Sequence, residues 1–112
     1  MNETRSALVV DDERDIRELL VLTLGRMGLR ISTAANLAEA RELLASNPYD
    51  LCITDMRLPD GNGIELVSEI AQHYPRTPVA MITAFGSMDL AVEALKAGAF
   101  DFVSKPVDIA VL

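Results

Sequence analysis

Ala7-Leu8-Val9-Val10-Asp11-Asp12 is a short apolar run that halts on two carboxylates, and the pattern it starts sets the fold. After it, Ile16, Leu19, Leu20, Leu24 and Met27 recur at helical spacing until Gly28, so an extended segment passes into an amphipathic helix. The alternation then repeats. Arg30 to Thr33 reads as extended, and Asn36 with Glu39 has the spacing of a capping box ahead of Leu37, Ala40 and Leu44, with Pro48 as punctuation. Leu51-Cys52-Ile53-Thr54 is a third apolar strand ending in Asp55. Past the turn residues Pro59-Asp60-Gly61-Asn62-Gly63, a helix carries Val67, Ile70, Ala71 and Tyr74 on one face and is closed by Pro75. Pro78 to Ile82 predicts a fourth strand, Thr83 to Ser87 a loop, Met88 to Ala97 a helix stopped by Gly98, and Phe100 to Val103 a fifth strand.

Continuous apolar strands alternating with amphipathic helices imply a parallel sheet covered on both faces, because right-handed crossovers return each strand beside an earlier one. With 112 residues, half of them apolar, the chain suits one domain. Five β/α units at this size fit an open, doubly wound α/β sheet and not a closed eight-unit barrel. In such a sheet the ligand site lies beyond the carboxyl ends of the strands.

Charge and composition narrow the function classes. A net charge of −7 with scattered Lys and Arg disfavours direct nucleic-acid binding or an anionic membrane surface. Cys52 is the only cysteine, so no internal disulfide forms, and within Leu51-Cys52-Ile53 it reads as a small buried hydrophobe. No segment approaches the ~20 apolar residues of a membrane span and no signal-peptide pattern opens the chain, so a cytoplasmic location is expected.

Asp11 and Asp12 follow the first strand, Asp55 the third, Thr83 the fourth, and Lys105 with Pro106 the fifth. Each has a plain structural explanation by itself: the paired aspartates capping a helix, Asp55 opening a turn, Thr83 filling a strand, Lys105 solvated. Their convergence on one sheet edge is what argues for chemistry. Three carboxylates in one cleft repel unless a cation or shared proton offsets them, and oxygen ligands without a His or Cys cluster suit Mg²⁺ bridging to a phosphate. A hydroxyl and an ammonium across the cleft could hold the remaining phosphoryl oxygens.

The stretches Val9-Val10-Asp11-Asp12-Glu13, Thr54-Asp55-Met56-Arg57-Leu58-Pro59-Asp60-Gly61-Asn62-Gly63, Met81-Ile82-Thr83-Ala84 and Gly98-Ala99-Phe100-Asp101-Phe102-Val103-Ser104-Lys105-Pro106 together resemble the receiver domains of bacterial response regulators. The resemblance spans nearly the whole chain and implies the flavodoxin-like strand order 2-1-3-4-5, which is also a standard example of this sheet type. It implies that Asp55 is the phosphoacceptor and that Asp12, Asp55 and the backbone carbonyl of Arg57 bind Mg²⁺ directly, with Asp11 acting through a metal-bound water. It further implies that Lys105 pairs with a phosphoryl oxygen, that Thr83 moves to the phosphoryl group, and that Phe102 is the switch aromatic. Such a domain is a switch that promotes its own phosphoryl transfer and hydrolysis. The segment from Thr83 through Phe102 looks more specifically like the NtrC-type regulators of σ54-dependent transcription, and within them the branch governing type IV pilus genes. A sensor histidine kinase would then be the phosphoryl donor, a AAA+ ATPase and a helix-turn-helix domain would follow in the full-length protein, and a phosphorylation-dependent homodimer would be the active form.

Two rivals remain at this stage. A small Mg²⁺-dependent phosphatase of the haloacid dehalogenase type also uses a first-strand Asp, a later Thr and a Lys, but would carry Asp where Glu13 stands and would be phosphorylated on Asp11. A receiver serving only as a phosphate-independent docking module is the other. The resemblance also implies a cis peptide bond between Lys105 and Pro106. It makes Val107 to Leu112 the first turn of a fifth helix with Asp108 as N-cap, as in an N-terminal fragment of a longer regulator.

Overall fold

The computed structural model describes residues 5–83 and 88–104. Along them run β1 (Ser6–Val10), α1 (Arg14–Arg26), β2 (Arg30–Ala34), α2 (Leu37–Ser46), β3 (Leu51–Asp55), β4 (Arg57–Leu58), β5 (Gly61–Asn62), α3 (Gly63–His73), β6 (Val79–Thr83), α4 (Met88–Ala97) and β7 (Asp101–Ser104). Five strands form one parallel sheet in the order β2-β1-β3-β6-β7, which is 2-1-3-4-5 when the sheet strands alone are counted. This is the flavodoxin-like order that the resemblance implied.

Ala7 to Val10 have no solvent exposure because β1 is flanked by β2 and β3 and both its faces are covered. The period of two splits the sheet into two apolar layers. Leu8, Val10, Cys52, Val79 and Met81 face α2, α3 and α4, meeting Leu37, Leu44, Leu66, Val67, Ile70 and Ala94. Ala7, Val9, Ile53 and Ile82 face the other way, against Leu20 and Leu24 of α1.

Several local expectations are corrected. Met27 caps the end of α1 and is 62% exposed instead of sharing its buried stripe. Ala71 is exposed, and the buried face of α3 is formed by Gly63, Leu66, Val67 and Ile70. Asn36 accepts a hydrogen bond from Glu39 N–H as its spacing predicts, but the Glu39 carboxylate accepts from Ala35 N–H, so the reciprocal half of the box falls one residue early. The stretch after Asp55, expected to be turn alone, is an antiparallel ribbon of two pairs, Arg57 with Asn62 and Leu58 with Gly61. Thr83 ends β6 rather than opening a loop, and β7 starts one residue later than expected, leaving Phe100 exposed. The rest of the expected loop, Lys105, the Lys105–Pro106 bond and the helix beginning at Asp108 lie outside the described residues.

Candidate functional site

The register of β1 on β3 pairs Val10 with Thr54, so the residues that end these neighbouring strands emerge side by side. Asp11, Asp12 and Asp55 each offer a carboxylate oxygen, all within 4.8 Å of one another. Asp11 is fully buried and Asp55 is 5% exposed, while Asp12 is open to solvent. The cluster therefore has a buried floor and a wet rim.

Backbone bonds hold that floor. Asp11 N–H donates to the Ala34 carbonyl across the sheet (3.0 Å), and its Oδ1 accepts from Glu13 N–H (2.8 Å). Neither aspartate is the N-cap of α1, which is Glu13 with no side-chain capping bond, so the plain capping explanation is not what occupies these side chains. Arg17, one turn into α1, donates from Nη1 to the Asp11 carbonyl (2.8 Å) and ties the loop bearing both aspartates to the helix. Asp55 Oδ1 accepts from Met56 N–H (2.7 Å), which fixes the plane of the carboxylate, and the buried Thr54 hydroxyl donates to the Asp55 carbonyl (3.0 Å). Met56 N–H also donates to Ile82 on β6. On the other side, Gly63 opens α3 so close to Asp55 that a Cβ there would overlap the Asp55 backbone carbonyl; only glycine fits.

Of the remaining expected residues, Lys105 lies outside the described residues, and Thr83, Phe102 and Arg57 are placed by β6, β7 and β4. Thr83 lies one residue beyond the pair Asp55–Ile82, at the same end, and pairs with Ser104, the residue before Lys105. Phe102 is half-buried in β7 and packs against the apolar layer under α3 and α4. Arg57 is exposed in β4, two residues past Asp55. Sequence reasoning did not single out Arg17, Asp60 or the cap at Asn62. The Asn62-x-x-Glu65 spacing was the available signal for the last.

The donor set fits a hard divalent cation. It is oxygen only, anionic and partly desolvated, and among the described residues no His or Cys joins it.

The family profile of the response regulator receiver domain matches residues 7–112. The chain belongs to the response regulator receiver family. This receiver domain is 67% identical over 105 residues to the response regulator protein PilR of Pseudomonas aeruginosa, a match that covers 94% of this chain and 24% of that protein. It spans about a quarter of the length of PilR and of the NtrC proteins it matches. The beryllofluoride-activated NtrC4 receiver domain dimer superposes with a TM-score of 0.88 at 35% identity, over 95% of this chain and 88% of that one. A response regulator from Burkholderia pseudomallei, solved with a phosphorylated aspartic acid, calcium ion and citrate, superposes with a TM-score of 0.88 at 26% identity, over 96% of this chain and 63% of the other. The expected likeness of the chain to NtrC and PilR is thereby borne out, and the phosphatase alternative loses its ground. No helix among the described residues is long and apolar enough to cross a membrane.

Proposed function

We propose that this receiver domain accepts a phosphoryl group on Asp55 from the phosphohistidine of a sensor histidine kinase, PilS-like by resemblance. The observation that carries this is the trio of carboxylates gathered at the ends of β1 and β3. Asp12, Asp55 and the Arg57 carbonyl would hold Mg²⁺, with Asp11 acting through water, and the ion would neutralise charge on the phosphoryl oxygens. A carboxylate oxygen of Asp55 forms the new bond to phosphorus as the bond to the imidazole nitrogen breaks, and that nitrogen keeps the electron pair. Met56 N–H holds the carboxylate plane for this attack. The Burkholderia relative, with its phosphorylated aspartate and divalent ion, supports the assignment by analogy.

Phosphorylation brings up to about two negative charges and new acceptor oxygens. Lys105 would pair with one of them and the Thr83 hydroxyl with another, drawing the segment after β6 inward and letting Phe102 shift into the space released. The signal would pass to a AAA+ and helix-turn-helix output in a longer protein, through a phosphorylation-dependent homodimer, a reading supported by the dimer that the beryllofluoride-activated NtrC4 receiver domain forms. The domain would also catalyse loss of its own phosphoryl group. The test is incubation with acetyl phosphate and Mg²⁺ followed by mass mapping. Labelling is expected on Asp55 alone, absent in Asp55→Asn, and weakened with Mg²⁺ affinity in Asp12→Ala. Equal labelling of Asp55→Asn, or a label on Asp11, would sink the assignment.

A further inference from the structure

The ribbon that follows Asp55 is too short to hold itself. Two-residue strands β4 and β5 make only two pairs, and an isolated hairpin, even a longer one, is marginal in water. Its base is fixed beside Asp55: Gly63 N–H donates to the Met56 carbonyl (2.7 Å), and Met56 N–H bonds to Ile82. Its tip is the turn Pro59–Asp60, and there the anchor comes from another helix. Asp60 Oδ1 accepts from Leu37 N–H (2.8 Å) and Oδ2 from Ala38 N–H (3.0 Å), the first two residues of α2, more than twenty positions away in the chain. These N–H groups have no partner within their own helix, and the positive end of its dipole favours the carboxylate. The next residue presses on the same helix: a Cβ at Gly61 would come within 2.5 Å of Leu37 Cδ1. The segment with the Arg57 carbonyl thus runs from a base at Asp55 to a tip clamped on α2.

We propose that Asp60 is a positioning residue of the metal site, its carboxylate bracing the ribbon tip on α2 and so fixing the ribbon backbone that supplies the Arg57 carbonyl. The inference rests on the assignment of that carbonyl as a ligand. It also makes the coupling reciprocal, because a metal that orders the ribbon base strengthens the clamp at its tip.

The test titrates Mg²⁺ into the isolated domain at high salt, where loss of an exposed charge is screened. Amide signals of Leu37 and Ala38 are followed by NMR, and labelling by acetyl phosphate is measured in parallel. Asp60→Ala is expected to weaken Mg²⁺ affinity about tenfold, the lower end for groups that orient ligands. Its labelling should slow at limiting Mg²⁺ and recover at saturation. Asp60→Asn, which keeps one acceptor, should fall between it and wild type. Asn36→Ala removes the other cap of α2 without touching the ribbon, and should bind Mg²⁺ as wild type does. In wild type, Mg²⁺ should shift the Leu37 and Ala38 signals.

Wild-type affinity in Asp60→Ala, equal loss in Asn36→Ala, or equal loss in Asp60→Asn and Asp60→Ala overturns the brace. Should Asp60→Ala not fold, the comparison of Asp60→Asn with Asn36→Ala decides in the same way. Failure of the wild-type domain to bind Mg²⁺ would instead overturn the metal assignment on which the brace depends.

Discussion

Cys52 stands three residues before Asp55, yet it takes no part in the site. It has no exposure in β3, and burial pushes its thiol up to about 12, so almost no thiolate exists near neutrality. The folded domain should therefore resist iodoacetamide at mildly alkaline pH and be labelled promptly in denaturant, as read by mass; fast labelling of the native form would contradict this packing. Asp60 shows the opposite influence at the surface. The hydrogen bond from Leu37 N–H, then that from Ala38 N–H and the field of Arg41, hold its carboxyl below the usual carboxylate range despite some desolvation. A lowered folded value means that its contribution to stability is present above the unfolded pKa of about 4 and is lost as pH falls through the folded value. The stability gap between wild type and Asp60→Asn should accordingly be full near neutrality and close in acid, as tested by urea melts across pH. A gap that widens in acid would refute the sign.

Among the elements, α3 carries the complete cap. The Asn62 side chain accepts from Glu65 N–H and the Glu65 carboxylate accepts from Asn62 N–H, both at 3.0 Å, directly beside the Gly63 contact with Asp55. Asn62→Ala should cost about 1 kcal/mol of unfolding free energy, and because the cap abuts Asp55, the proposed acceptor, it should also slow acetyl phosphate labelling. A urea titration with unchanged midpoint would show the cap to be redundant. The elements themselves were legible because burial of β1 and β3 on both faces leaves unbroken apolar runs, and because Asn36 and Gly98 mark helix ends locally. The ribbon was not. Its two pairs are closed at the base by Gly63 N–H on the Met56 carbonyl and held at the tip by Asp60 on α2, the latter a contact between distant segments that no spacing encodes. Ala71 and Met27 were misplaced because helical period alone does not say how wide a stripe the sheet will cover.

At the scale of the whole molecule, the sheet order turns a scatter of polar strand ends into one site. The carboxylates at the ends of β1 and β3 were readable as a cluster once the parallel sheet was inferred, whereas the strand order came from family resemblance. Mg²⁺ that binds only the assembled trio should raise the thermal midpoint, by roughly 10 °C or more at a hundredfold excess over the dissociation constant, and Asp12→Ala should blunt the rise. A midpoint indifferent to Mg²⁺ would mean that the acidic cluster does not bind the ion when folded. The position of β1 also imposes a schedule on biosynthesis. β1 can pair with β2 as soon as Ala34 has left the ribosome, but its other edge has no partner until β3 is made through Asp55. At ~5–20 residues per second that interval is about one to four seconds. For that time the nascent chain carries a two-stranded sheet whose β1 edge is bare and whose two aspartates stand without Asp55 beside them, and the edge of β3 then waits in turn for β6, so the carboxylate trio gathers before the sheet is closed.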